Sequence, residues 1–133
     1  MGEAENTKRV QELYGAFGSG DMDTLLAGFE DNIQWITQEN KLIPPAKIRR
    51  GKAETTGFFT DLAEYFDFEK FEPSTFTAQD NRVLVQGQSR VRVKKTNKVV
   101  EFEWVHAFTL NNNQITKFHE YFDTSPVAEA FKE

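Results

Sequence analysis

Val10, Leu13, Tyr14 and Phe17 recur at i, i+3, i+4 and i+7, which predicts an amphipathic helix from about Thr7 to Ser19. Gly18-Ser19-Gly20 stops it. Asp21 then offers an N-cap for a second, short helix carrying Met22, Leu25, Leu26 and Phe29. Alternation over Ile33 to Thr37 predicts a short strand, and Gln38 to Arg50, with Pro44-Pro45 inside it, reads as a loop. A third helix is expected after Gly51, carrying Phe58, Phe59, Leu62, Tyr65 and Phe66. From there the period drops to two. Strands are expected at Phe68 to Thr77, Arg82 to Lys94, Lys98 to Leu110 and Gln114 to Asp123. Pro73 demotes the first of these to an edge or a bulge. Asn111-Asn112-Asn113 marks a tight turn because asparagine tolerates positive φ. The tail from Ser125 to Glu133 can form one helical turn.

The two long central strands carry enough pattern to propose a register. With Thr96-Asn97 as the turn, Val93 faces Val100, Arg92 faces Glu101, Val91 faces Phe102, Arg90 faces Glu103, Ser89 faces Trp104 and Gly87 faces His106. One face is then apolar apart from His106, and the other holds two opposite-charge pairs, each contributing about 0.2–1 kcal/mol. A slip of one residue would turn every side chain of one strand to the wrong face. Gly87 suits a bend there, since glycine in a strand often marks a bulge or a close approach. Helices followed by a run of antiparallel strands give an α+β class. The expected architecture is three N-terminal helices packed in the concave face of a strongly curved, mixed but mainly antiparallel sheet, a cone-shaped barrel with one pocket.

Composition narrows the possible partners. The 133 residues fit one domain, with an ordered core of about residues 7–131, and can bury a core without staples. Thirteen phenylalanines against two methionines make that core rich in rigid rings. Cysteine is absent, so disulfides, thiolate metal sites and cysteine nucleophiles are excluded. A net charge of -5 argues against nucleic acid, which needs a basic surface. No apolar run approaches the roughly 20 residues that span a bilayer, and the first residues lack an apolar leader, so a cytoplasmic protein without membrane association is expected. His106 and His119, thirteen positions apart, do not have zinc-ligand spacing, so no metal and no cofactor are expected.

The chemistry concentrates in the C-terminal third. His106 and Glu120 stand on neighbouring strands among Phe102, Trp104, Phe108, Phe118 and Phe122. Burying unpaired polar groups on such a wall costs several kcal/mol, roughly, so the two must be bonded or have shifted titrations. Histidine ordinarily titrates near neutrality, which suits a general acid/base or a donor to a bound carbonyl. The plain alternative is a core histidine satisfied by Glu120.

Three segments carry a family resemblance: VQELYGAFGSGDMDTLLAGFEDNIQW, FFTDLAEYFDFEKFEPSTF and EFEWVHAFTLNNNQITKFHEYFDT. Together they resemble the SnoaL-like, ketosteroid isomerase-related branch of the nuclear transport factor 2-like superfamily, over about Thr7 to Phe131. The fold hosts isomerases, hydrolases, cyclases, dehydratases and non-enzymes, so the resemblance implies fold more than reaction. The ketosteroid isomerase set of a base Asp, a Tyr donor and a protonated Asp would fall on Thr37, Leu13 and His106. Tyr14 is one residue off and expected to turn elsewhere. The limonene epoxide hydrolase set would fall on Trp104, His106 and Glu120, and is also incomplete. SnoaL-like cyclases, which close a ring by aldol chemistry with one acid/base, are the nearest match, and His106 with Glu120 can serve that role.

The remaining candidates each have a plainer reading. Tyr14 either donates a phenol into the cavity or packs the first helix. Trp35 and Trp104 either stack on a flat ligand or are core, and Phe59 is expected on the same wall. Asp123 is a rim acid or a helix cap. Arg49-Arg50 either attracts an anion or is a solvated loop, the simpler choice. His119 and Tyr121 alternate outward, where the resemblance implies a homodimer interface. The expected ligand is a small apolar molecule with one polar group, and the alternative function is a non-catalytic binding or dimeric interaction module.

Overall fold

In the computed structural model, which describes residues 2–133, the period-two stretches pair into one six-stranded sheet. The elements in chain order are α1 (Glu3–Ser19), α2 (Met22–Ala27), β1 (Phe29–Thr37), β2 (Ile48–Arg50), α3 (Gly51–Tyr65), β3 (Phe66–Gln79), β4 (Arg82–Val93), β5 (Val99–Asn111), β6 (Gln114–Phe122) and α4 (Thr124–Phe131). The strands lie in the order β2-β1-β6-β5-β4-β3. Only β1 with β6 is parallel. The class is α+β, as expected, but the sheet is open: β2 and β3 are free edges, so the cone is not a closed barrel.

Curvature follows from what α3 touches. It packs against both β1 and β3, which lie four strand spacings, about 19 Å, apart along the sheet. Phe59 of α3 lies 5.4 Å from Trp35 of β1 and 5.9 Å from Phe17 of α1, which in turn lies 5.3 Å from Phe71 of β3, so rings from the two sides of the sheet meet and the sheet curls. The inner face of the curl buries Val83, Val85, Val91 and Val93 from β4, with Trp104, Phe108 and Phe118 from the next two strands.

The elements differ from the sequence pattern mainly where distant pairing decides. α1 starts at Glu3, a turn early, because Asp80 of the β3–β4 turn donates its N–H to Glu3 Oε2 at 2.7 Å and accepts from buried Asn6 at 3.4 Å. Gly20, at φ 74, closes α1 in the left-handed region that glycine enters freely. Phe29 belongs to β1 and not to α2, held by its parallel pairing with Ile115. Part of the expected 38–50 loop is a strand, β2, paired antiparallel to β1. Phe66 opens β3 where a helix end was expected. α4 runs two turns, with Val127 and Phe131 buried, and Asp123 caps it by accepting from Ser125 N at 3.1 Å.

The central hairpin keeps its faces but not its partners. Arg90 pairs with Glu101, Ser89 with Phe102, Gly87 with Trp104 and Val85 with His106, a slip of two residues from the expected register. The loop is longer than Thr96-Asn97: Val93 N donates to Lys98 O at 2.8 Å and Asn97 sits at φ 64. An even slip preserves the alternation, so the charged pair survives with a new partner. Gly87 is required by its new neighbour. A Cβ there would stand 2.3 Å from Trp104 Cζ2 and 2.6 Å from Glu72 O, so the indole lies where a side chain would be. Pro73 sits on the edge strand at a register shift, as its missing N–H demands. At the far turn, Asn112 and Asn113 take the expected positive φ.

Candidate functional site

The curled sheet and its helices form a cavity of about 110 Å³. Its wall is apolar and largely aromatic: α1 supplies Leu13, Tyr14 and Phe17, and β5 and β6 supply Phe102, Phe108, Phe118 and Phe122. Trp35 and Phe59 also line it. Among these side chains stand His106, 6% exposed, and Glu120.

Three of the polar side chains form one chain of hydrogen bonds. Tyr14 Oη lies 2.8 Å from His106 Nδ1, and His106 Nε2 lies 3.0 Å from Glu120 Oε2. Each link comes from a different element. Tyr14 projects from α1, while His106 and Glu120 are direct cross-strand partners on β5 and β6. The imidazole is clamped in plane by Trp104, stacked at 3.9 Å and 16°, with the edge of Phe118 at 4.8 Å. Trp104 is itself fixed by its Nε1–H, which donates to Ser89 Oγ at 2.8 Å.

Direction follows from donor chemistry. An ionised carboxylate only accepts, so Nε2 carries the proton; neutral imidazole then accepts at Nδ1 from the Tyr14 hydroxyl. Both ring nitrogens of His106 are thus engaged, whereas Glu120 Oε1 makes no hydrogen bond among the described residues. Burial pushes the Tyr14 phenol well above its ordinary titration range, and the charge of Glu120 pushes the same way.

The comparisons with known proteins bear on the family and the fold. A family model described as a SnoaL-like domain matches residues 10–118. The chain belongs to the SnoaL-like family. A nuclear transport factor 2-like protein from Burkholderia xenovorans is 36% identical, covers 99% of both chains and superimposes with a TM-score of 0.91. TerC, co-crystallised with polyporic acid, is 20% identical over 97% of this chain and 99% of its own, with a TM-score of 0.85. An epoxide hydrolase of the limonene epoxide hydrolase type from Mycobacterium tuberculosis is 18% identical over 97% and 90%, with a TM-score of 0.76. At those two identities the likeness shows the fold alone. No protein of curated function matches the sequence.

Within this SnoaL-like fold the candidates separate. Tyr14 is not turned elsewhere: it lines the cavity beside Leu13, and its Oη lies 2.8 Å from His106 Nδ1. Trp104 does not line the cavity, because its indole lies over Gly87 and beneath His106. Trp35 lines it but offers no free face for stacking, since Phe118 lies parallel at 3.8 Å and Phe58 and Phe59 crowd it at 5.3 and 5.4 Å. Thr37 is buried and fully used, accepting from Lys47 N at 2.9 Å and facing the carbonyls of Lys47 and Pro45. Arg49 is no solvated loop residue. It is 4% exposed, bonds Asp61 and the Pro45 carbonyl, and lies over the Phe58 ring, which ties the 38–47 loop to α3. Burial pulls the Arg49 titration down, against the pull of Asp61. Arg50 is exposed. His119 and Tyr121 lie on the outer face, stacked at 4.0 Å.

Several lining residues escaped the sequence pattern. Ile43, Pro45 and Ala46 arrive on the loop that Arg49 pins, and Val127 arrives from α4. Phe71 also lines the cavity, with a register shift between Phe68 and Lys70 just before it. A bulge signal there, next to Pro73, was the one local clue. Among the described residues no group of three or more metal-ligating side chains is gathered, and no helix is long and apolar enough to cross a membrane.

Proposed function

We propose that the protein binds a small, largely apolar carbonyl compound in this cavity and moves a proton on it, with Glu120 as the catalytic base. The observation that supports this most is the Tyr14–His106–Glu120 chain, which leaves one carboxylate oxygen unbonded on an otherwise apolar wall. His106, with both nitrogens engaged, is a positioning residue that holds Glu120, and Tyr14 completes its bonding. Glu120 removes a hydrogen from the carbon beside the carbonyl, and the freed electron pair moves toward the carbonyl oxygen. Returning the proton to another carbon is an isomerisation, and joining the enolate carbon to a second carbonyl is an aldol cyclisation. General base catalysis of this kind contributes typically 10²–10⁴-fold. Size restricts the ligand. Cavities of roughly 150 Å³ accept benzene, so about 110 Å³ suits one small ring held without rearrangement.

Cyclopentanone in heavy water tests the reading. The wild type should shift its melting temperature with the ketone and speed exchange of its α-hydrogens. Glu120→Gln should bind equally, stay folded, and lose at least about 100-fold of that exchange. Binding without exchange would make the protein a carrier, and no binding would sink the cavity reading. The outer face supports a homodimer: Tyr121 is 45% exposed there, stacked on His119 beside a groove of about 390 Å³.

A further inference from the structure

The polar atoms of the cavity wall are nearly all engaged by the protein itself. Thr37 is bonded to the 45–47 backbone, Ser89 Oγ accepts from Trp104, and His106 uses both nitrogens. Besides Glu120 Oε1, Trp35 is the exception. Its side chain lines the cavity at 4% exposure, and its Nε1–H is buried with no hydrogen-bond partner. Buried donors are nearly always paired, because leaving one unmet loses its hydration without replacement. The other indole in the chain is equally buried and is satisfied, by Ser89. With Phe118 flat against Trp35 and Phe29, Phe58 and Phe59 around it, the indole has only an edge to offer a ligand.

Trp35 and the proposed base stand close together on the sheet. Trp35 pairs with Phe118 on the parallel strand, and Glu120, two residues further along β6, pairs with Thr37. At about 4.8 Å between strands and about 3.3 Å per residue, the Trp35 and Glu120 backbones are about 8 Å apart, on one face. A small ring between them can meet both.

Resting on the reading of the cavity as the ligand site, we infer that Trp35 Nε1–H is the hydrogen-bond donor to the ligand's carbonyl oxygen. The site is then selective for small ketones over hydrocarbons of the same shape. When Glu120 takes the α-hydrogen as a proton, the C–H bonding pair forms the new carbon–carbon double bond. The carbonyl π pair moves onto oxygen, and the Trp35 N–H meets the negative charge that develops there. Reprotonation from Glu120 restores the ketone. Nε1 is buried and unpartnered, with the half-buried Phe59 ring 5.4 Å from the indole.

The test titrates ¹⁵N-labelled protein with cyclopentanone and with methylenecyclopentane, which keeps the shape and removes the oxygen. The Trp35 indole N–H resonance should move downfield with the ketone only, while that of Trp104, already bonded to Ser89, stays in place. In Trp35→Phe, cyclopentanone should bind about ten-fold more weakly and the hydrocarbon equally well, as expected for one lost hydrogen bond. Equal binding of both compounds with an unmoved Trp35 resonance overturns the Trp35 assignment and leaves the cavity reading intact. Binding of neither overturns both. The titration of the wild type decides even if Trp35→Phe fails to fold.

Discussion

Replacing Tyr14 with Phe removes one oxygen, and its consequence should change with pH in a way that only a withheld phenol explains. At neutral pH the variant leaves His106 Nδ1 without the donor that stands 2.8 Å away. An unmet buried acceptor costs about 1–3 kcal/mol. Burial, with the charge of Glu120, raises the Tyr14 titration in the folded protein above its unfolded value near 10. The folded-state value is the raised one, so the contribution is fully present below about pH 10 and is lost as pH rises beyond it. Above about pH 10 the unfolded chain has released this proton and the folded chain has not, so stability falls by about 1.4 kcal/mol per pH unit. The variant lacks that term. A gap of about 2 kcal/mol between wild type and Tyr14→Phe at pH 8 should therefore shrink to about 0.6 kcal/mol by pH 11. Urea unfolding of both proteins across that range measures it, and titration of the other tyrosines and the lysines cancels in the difference. A gap that stays constant from pH 8 to pH 11 would refute the reasoning.

Gly87→Ala should cost about 2–4 kcal/mol in thermal unfolding, because a Cβ 2.3 Å from Trp104 forces the indole off Ser89 and away from His106; a loss below about 0.5 kcal/mol would mean that the indole does not lie over the glycine. Asp61→Ala should destabilise by about 2–4 kcal/mol by stranding buried Arg49, while the double change Arg49→Met with Asp61→Leu should recover most of it. Equal losses in the single and double variants would show that lost volume, not charge, is responsible. If the outer sheet face joins two copies, light scattering should report a dimer for the wild type and a monomer for Tyr121→Asp, with the melting curve of the isolated chain little changed. A variant that remains dimeric would place the interface elsewhere.

The candidate pair was visible in the sequence because β-strands impose strict alternation. His106 and Glu120 had to share a face with Phe108 and Phe118, and cross-strand pairing made them neighbours. Tyr14 was harder. Its phenol reaches His106 across 92 residues of chain, and nothing in the helix's own periodicity distinguishes a ring that packs from one that bonds. Trp104 shows the opposite error: its position on the correct face suggested the cavity wall, yet the absent side chain at Gly87 gives the indole a bed beneath His106. Arg49 looked like loop charge because its partner Asp61 lies on a later helix and the short strand that carries it has too few residues to show a period.

By itself the sequence determined the α+β class, the faces of the strands, the turn at Asn112-Asn113 and the presence of a titratable pair on an aromatic wall. Those properties depend on period, propensity and residue chemistry, which are local. The tertiary structure decided the hairpin register, the open sheet, the course of the 38–47 loop, and which polar atoms remain unbonded. A slip of two residues preserves every face, so the pattern cannot see it, and only the length of the turn and the fit of Trp104 over Gly87 select the register. The free oxygen of Glu120 and the unpartnered N–H of Trp35 belong to that second group, because a hydrogen bond is satisfied or left open only once distant elements have met.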